Sequence, residues 1–193
     1  MPTQTDTTKN PQIEALERDV LDIRNRFARV TSGLSHEALV WSPNANNWSI
    51  AQIVEHLNKV GYAIAPALED AIACLALRGW DAGPYRYTFL ERLFIRAVGP
   101  NPPFRVPVPR LYVPPEHITD PEDTIASFLV LQGQIDGWLR ARGLRLTAIR
   151  IPSPANRLLK MSVAAWIHAT IAHERYHLLQ IEALLANPAF PAR

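Results

Sequence analysis

The clearest structural signal in the chain lies in residues 48–60, which read WSIAQIVEHLNKV. Ser49 can cap a helix, and Gln52, three positions later, completes the capping box that marks a helix start. Apolar residues then recur every three or four positions as far as Leu75, which is the period of a helix with one buried face. Pro66 lies inside this pattern and lacks a backbone N–H. The segment therefore predicts a long amphipathic helix with a kink near Pro66.

Three further segments carry the same helical period together with start or stop signals. They run from Pro11 to Ser32, from the cap Asp120 to a point before Gly143, and from Ser162 to about Asn187. In the second of them the predicted buried stripe consists of Ile125, Phe128, Leu129, Ile135, Trp138 and Leu139. Four amphipathic helices without a convincing run of alternating strands predict an all-α bundle.

The second and third predicted helices are separated by a long crossover, residues 78–120. Its first part predicts a short helix from Tyr85 to Val98. Eight of the 17 prolines then lie between Pro100 and Pro121, which excludes a helix and disfavours a central strand. We expect extended or polyproline-like chain laid across the bundle. Long ordered connections serve as functional lids or as structural braces, and the pattern leaves both open.

The composition predicts one cytoplasmic domain. The chain has 193 residues, 48% of them hydrophobic, which suffices for a single core over 1–193, with residues 1–10 as a disordered tail. A net charge of +2 gives no basic face for nucleic acid. The single cysteine excludes an intrachain disulfide and a cysteine-based zinc site. The polar N-terminus lacks a secretory pattern, and no stretch reaches the roughly 18 apolar residues of a membrane span.

Three histidines form a candidate metal site. His173 and His177 are four positions apart, so on a helix they share one face, and the helical phase turns that face toward the apolar stripe. His56 flanks the apolar stripe of its own helix and can reach the same interior. Three imidazoles from two helices can bind a metal ion and leave positions open for water or substrate. The alternative is that they are hydrogen-bonded core histidines without a metal.

The other histidines are not predicted as ligands. His168 lies about 160° around the helix from the midpoint of His173 and His177. Its face, which is partly apolar, would suit a subunit contact in a homodimer or a contact with the outer connection. His36 and His117 lie in a turn and in the proline segment, and we expect both to be exposed.

Several other reactive side chains receive structural interpretations. Cys74 is 18 residues, about 27 Å along a straight helix, from His56, and is predicted to be a small core residue. Glu55 and Glu174 adjoin histidines in sequence, but helical neighbours point about 100° apart, so surface positions are favoured. Two arginines of the proline segment, Arg105 and Arg110, are interpreted as solvated, with contact to an anionic substrate group as the alternative. Three tryptophans are expected in the core or beside helix starts, with pocket lining as the alternative: Trp41, Trp48 and Trp166.

Two stretches carry a family resemblance: residues 41–60, WSPNANNWSIAQIVEHLNKV, and residues 166–184, WIHATIAHERYHLLQIEAL. They resemble the DinB/YfiT-like superfamily, whose members show a Trp-Ser-Ile start to the second helix, a His-Leu further along it, and a later His-x-x-x-His helix with a following Gln. The resemblance implies an up-and-down four-helix bundle and a divalent metal ion, often nickel or zinc. Carried over by position, the implied ligands are His56, His173 and His177.

Members of this superfamily with known activity include transferases and isomerases that depend on low-molecular-weight thiols such as bacillithiol or mycothiol. The leading hypothesis is therefore S-transferase chemistry on a small-molecule substrate, with a metal-activated thiolate. One alternative is a hydrolase that uses metal-bound hydroxide, and another is a non-catalytic, metal-stabilised ligand-binding module. The residues assign no catalytic acid or base, and they leave open whether the protein is an enzyme.

Overall fold

A computed structural model describes residues 11–77, 85–104, 106–140 and 145–191. The predicted disordered tail, residues 1–10, lies outside these ranges. The described chain is mostly helical and contains one small sheet, which confirms the all-α class. No helix in these ranges is both long enough and apolar enough to cross a membrane.

The four longest described helices match the four predicted from periodicity. They are α1 (Pro11–Thr31), α3 (Ile50–Ala76), α5 (Pro121–Arg140) and α6 (Val163–Leu185). Helix α3 packs against α5 and α6, and α1 packs against the same two helices. In α1 the buried residues are Ile13, Leu16, Val20, Ile23 and Phe27, one or two in each turn. The hydrophobic core therefore lies between the apolar faces of these four helices, where the stripes predict it.

Helix α3 begins with the predicted capping box. The Ser49 hydroxyl accepts from the Gln52 backbone N–H at 3.2 Å, and the Gln52 side chain accepts from the Ser49 N–H at 3.0 Å. The helix continues through Pro66 to Ala76. Gly61 lies where α3 and α5 meet, and a Cβ there would overlap the side chain of Leu131. The glycine therefore permits this close approach of the two helices.

Two side chains lie on faces that the sequence analysis did not expect. Cys74 is exposed, so its assignment to the core was wrong. It lies in the last turn of α3, one position before the buried Leu75, and neighbouring helical residues point about 100° apart. Leu129 of α5 is 47% exposed and was also wrongly placed, because the buried face runs through Phe128 and Leu131.

Short elements that the helical period does not reveal connect the long helices. Helix α2 (His36–Val40) lies between α1 and α3, and the Ser35 hydroxyl caps it. Strands β1 (Arg150–Pro152) and β2 (Lys160–Ser162) pair antiparallel just before α6, with Ile151 opposite Met161. Strands of three residues are too short to show an alternating pattern.

Helix α4 (Phe89–Val98) begins four residues later than predicted. Thr88 and Glu91 form its capping box, a signal that the Thr-x-x-Glu spacing carries in the sequence. The buried Glu91 carboxylate also accepts from the Ser162 backbone N–H at 2.7 Å and pairs with Arg150 at 3.2 Å. Burial alone would raise the pKa of Glu91, but the hydrogen bonds from Ser162 and Thr88 lower it. This carboxylate links the start of α4 to the start of α6.

The described residues of the proline-rich part of the crossover form extended chain, as predicted, and contain one short 3₁₀ turn (Arg110–Tyr112) that was not predicted. Its later half is tied to α3 by side-chain donors. Gln52 Nε2 donates to the carbonyls of Pro115 and Glu116, at 3.0 and 2.9 Å. Lys59 Nζ donates to the Val113 carbonyl at 2.8 Å. This half braces α3 and also contacts one of the candidate ligands.

Candidate metal centre

The three predicted ligands come together between α3 and α6. His177 Nε2 lies 3.0 Å from His173 Nε2, and His56 Nε2 lies 3.4 Å from the same atom. The ligand nitrogens of all three residues lie within 4.8 Å of one another. The spacing of four on α6 places the first two on one face, and the packing of α3 against α6 brings in the third. The group could bind a metal ion.

The outer ring nitrogens of two histidines are already engaged. His56 Nδ1 lies 2.8 Å from the Tyr112 carbonyl, and His177 Nδ1 lies 2.7 Å from the Gln180 side-chain oxygen. Both partners are acceptors, so each Nδ1 carries the proton and each Nε2 directs a lone pair inward. His173 can donate to only one of these lone pairs. A cation satisfies all three nitrogens at once, so the residues fit a metal ion.

The electrostatics of the cluster favour the neutral imidazole. Burial is the main cause that lowers the pKa of His56, and the charge of Lys59 lowers it further, whereas the hydrogen bond that His56 donates to the Tyr112 carbonyl raises it. Burial and the two neighbouring histidines lower the pKa of His173 well below its usual value. Burial, with the neighbouring His56, lowers the pKa of His177 to about 3. All three rings are therefore neutral at pH 7, the form that binds metals.

The histidines face a cavity of about 910 Å³. Trp48 lies against the His56 ring, with 5.0 Å between ring centroids, and Phe94 meets Trp166 edge-to-face at 5.6 Å. Trp166 Nε1 donates to the Ile151 carbonyl, so its polar atom is satisfied. The other apolar side chains of the wall include Ile53, Val60, Ile64, Phe104, Val106, Val108, Leu159 and Leu184.

Comparison with protein families gives one match. The DinB superfamily matches residues 21–181, which include all three histidines. This chain belongs to the DinB superfamily. No curated protein and no solved structure matches it.

In this DinB protein the other described histidines and Arg110 lie apart from the three candidate ligands. His168 packs on Tyr87, with ring centroids 5.6 Å apart, so its face contacts the outer connection. His36 and His117 are exposed, as expected. Arg110 is exposed and does not line the cavity, while Arg105 lies outside the described residues.

Of the three tryptophans, two line the cavity and one packs elsewhere in the fold. Trp48 and Trp166 line the cavity. Trp41 packs edge-to-face on Phe190 near the end of the described chain.

The structure corrects the prediction for Glu174, whereas Glu55 is partly exposed and does not line the cavity. Glu174 is only 2% exposed and accepts from Gln132 Nε2 at 2.9 Å. Burial raises its pKa to about 8. The surface assignment failed because α6 is covered on several sides, by α4 as well as by α1, α3 and α5. A helix buried on more than one face has no solvated side for a neighbouring carboxyl.

Three contributors to the site were not assigned a role from the sequence. Gln180 belongs to the motif that carries the family resemblance, and its position one turn after His177 is the signal that could have revealed its contact. Gln180 Nε2 in turn donates to the Tyr176 hydroxyl at 3.0 Å. Tyr112 contributes a backbone carbonyl, which any residue would supply, so no residue type could signal it.

Proposed function

We propose that this DinB protein is a metal-dependent enzyme that joins the sulfur of a small thiol to an electrophilic small molecule. The observation that carries the proposal is the convergence of three neutral imidazole nitrogens, at 3.0 and 3.4 Å, on a largely apolar cavity. A divalent ion bound by these nitrogens, nickel or zinc, would lower the pKa of a thiol and favour its thiolate. In the net reaction a C–S bond forms, the leaving group departs with its electron pair, and the thiol proton passes to solvent.

The residues of the chain contribute positioning and charge. His56, His173 and His177 are neutral, so they would leave the full positive charge of the ion to attract an anionic ligand. The Tyr112 carbonyl and the Gln180 amide oxygen orient two of the rings and retain their Nδ1 protons. Most of the lining side chains are apolar, and apolar surroundings strengthen electrostatic interactions.

A thiol nucleophile also suits the side chains that line the cavity. Among its described lining residues there is no Asp or Glu that could act as a general base. A metal-activated thiolate needs none for the attack itself, because the proton leaves before the C–S bond forms.

The same proposal extends to the architecture and the setting. We propose an up-and-down order for the four long helices within one domain, a cytoplasmic location and a homodimer. The sequence patterns and the family resemblance support these points.

The proposal is tested with the full-length protein loaded with Ni²⁺ or Zn²⁺. The substrates are 2-mercaptoethanol and 1-chloro-2,4-dinitrobenzene, and the formation of the thioether is followed by absorbance. We expect a rate well above that of the free ion, lost in His177→Ala and retained in His168→Ala. Metal-loaded protein that conjugates none of several small thiols would overturn the transferase proposal.

Hydrolysis is the second candidate function, and one observation favours it. None of the described lining residues is Lys or Arg, so the cavity offers no cationic side chain for a charged thiol cosubstrate. Water needs no such contact, and the same three histidines could support its activation. Release of nitrophenol from 4-nitrophenyl acetate without any thiol would select this function. Loss of both activities, with metal still bound, would leave the non-catalytic ligand-binding module.

A further inference from the structure

We infer that the small molecule bound beside the three histidines is uncharged and mainly apolar, with an aromatic or alkyl body that fills the cavity. This inference rests on the proposed function, because it takes the histidine cluster as the reacting end of the site. It concerns the substrate of that site, which neither the family nor the cluster itself specifies.

The size of the cavity suits such a molecule. Its volume of about 910 Å³ lies within the usual range for small-molecule sites, roughly 300–1,000 Å³. The lining residues on α6 extend from Trp166 to Leu184 and include His173 and His177 between them. His173 lies seven positions after Trp166 on α6, about 10 Å along the helix axis at 1.5 Å per residue. A ligand beside the histidines therefore has apolar wall available well beyond them.

The walls present aromatic rings, and the polar side-chain atoms of Trp166 and Thr170 are already bonded. Trp48 covers one side of His56, and the edge-to-face pair of Phe94 and Trp166 lies further along. The Trp166 indole N–H is bonded to the Ile151 carbonyl, and the Thr170 hydroxyl donates to the Trp166 carbonyl. Such surfaces bind apolar groups by burial and ring contact.

The charge pattern argues against an ionic body. None of the described lining residues, the three neutral histidines included, carries charge at neutral pH. Lys59, close to His56 on α3, directs its Nζ to the Val113 carbonyl at 2.8 Å. A charged body away from the three histidines would lose water here and gain no counter-ion from the described lining residues.

A second hollow shows that this pattern is specific to the cavity. That hollow, of about 440 Å³, lies on the His168 side of α6 and is lined by Asp19, Arg96 and Arg175 among others. Charged side chains are thus available to a neighbouring surface of the same helix. The polar groups of the main cavity are uncharged ones such as Asn46, Asn47 and Asn156. They can bind a hydroxyl or carbonyl of the ligand without requiring charge.

The test compares two fluorescent probes that share one skeleton. N-phenyl-1-naphthylamine is neutral, and 1-anilinonaphthalene-8-sulfonate adds one negative charge. Each is titrated into the full-length protein loaded with Zn²⁺. We expect the neutral probe to bind at least tenfold more tightly. Equal or tighter binding of the sulfonate, or no binding of the neutral probe, would overturn the inference.

A matched pair of variants locates the probe. Val108 and Val113 belong to the same proline-rich segment and are both 42% exposed, but only Val108 lines the cavity. Val108→Asp should weaken the neutral probe at least tenfold, whereas Val113→Asp should change its affinity less than twofold. Equal weakening in both variants would place the probe outside the cavity and overturn the inference.

The zinc content of each sample separates this inference from the proposed function. Val108→Asp should retain one zinc ion per chain, since the substitution lies in the wall. If zinc is bound but the neutral probe is not, the substrate class is wrong and the metal proposal stands. If the neutral probe binds but zinc does not, the proposed function fails while the apolar site remains.

Discussion

Two buried polar clusters lie beside the same turn of α6, and their surroundings differ. His173 and His177 face a cavity and meet a third imidazole, that of His56. The Nδ1 atoms of His177 and His56 are oriented by acceptors around them. Glu174 points into closed core, where Gln132 is its hydrogen-bond partner and its Oε2 atom has none among the described residues. Adjacent residues thus contribute to a site that is accessible from a cavity and to a pair enclosed by packing.

The comparison teaches that burial by itself does not indicate function. Burial lowers the pKa of the histidines and raises that of the carboxyl, so both groups are neutral in the folded protein near pH 7. The histidines differ because their lone pairs converge and a ligand can reach them. We therefore expect substitutions in the first cluster to change metal binding and those in the second to change stability.

The largest expected effect is the loss of metal from His177→Ala. Removing one of three ligands should lower the zinc content from about one ion per chain to a small fraction, because two imidazoles form a far weaker site. Elemental analysis of dialysed protein measures it. His168→Ala on the same helix is the control and should retain the metal. Equal loss from both variants would contradict the cluster as the metal site.

Acid should destabilise the metal-free protein through the histidine cluster. The pKa of folded His177 is about 3, below the unfolded value near 6.5. Its contribution to the free energy of unfolding is therefore complete above pH 6.5. That contribution is lost as the pH falls from 6.5 toward 3 and amounts to a few kcal/mol. Urea unfolding at pH 7 and pH 4.5 measures the loss. His177→Leu should show a smaller difference, and an unchanged difference would count against a buried neutral ring.

The carboxyl cluster should show the opposite pH dependence. The pKa of folded Glu174 is about 8, above the ordinary value of 4.5, so the folded state retains a proton that the unfolded state releases. The contribution is complete below pH 4.5 and is lost as the pH rises toward 8, again by a few kcal/mol. Glu174→Gln should remove this dependence in urea unfolding at pH 5 and pH 8, without loss of zinc. If the free energy of unfolding changed equally with pH in Glu174→Gln and in the unmodified protein, the raised pKa of Glu174 would be contradicted.

The smallest effects should come from the residues behind His177. Gln180→Ala removes the acceptor for the Nδ1 proton and should weaken zinc binding by about 10- to 100-fold. Tyr176→Phe removes only the hydroxyl that accepts from Gln180, so a change of a few-fold is expected. Competition with a zinc chelator measures both. A larger effect for Tyr176→Phe than for Gln180→Ala would reverse the proposed order of contacts.

Much of the fold follows from local patterns. The capping box at Ser49, the cap at Asp120 and the period of the four apolar stripes predict the long helices because each depends on residues within a few turns. The pairing of His173 with His177 is local in the same way. Helix phase also separates His168 from the cluster, and the structure places its ring on Tyr87.

The misplaced residues share a different cause. Leu129 and Cys74 lie at the edges of stripes, where the angular width of the buried face depends on how neighbouring helices pack. Glu174 is buried because α5, which carries its partner Gln132, packs against α6, a contact that the sequence of α6 alone does not show. The start of α4 was misplaced because a capping box, Thr88 to Glu91, overrides the apolar pattern before it.

By itself the sequence determined the helices, the family and the pair of histidines on α6, because helical spacing and capping act over short distances along the chain. Only the tertiary structure decided that His56 meets that pair and that the backbone carbonyl of Tyr112 orients the His56 ring. The enclosure of Glu174 is likewise a feature of the tertiary structure alone. These features depend on contacts between distant segments. Contacts of that kind arise from the packing of whole surfaces, which no local pattern encodes.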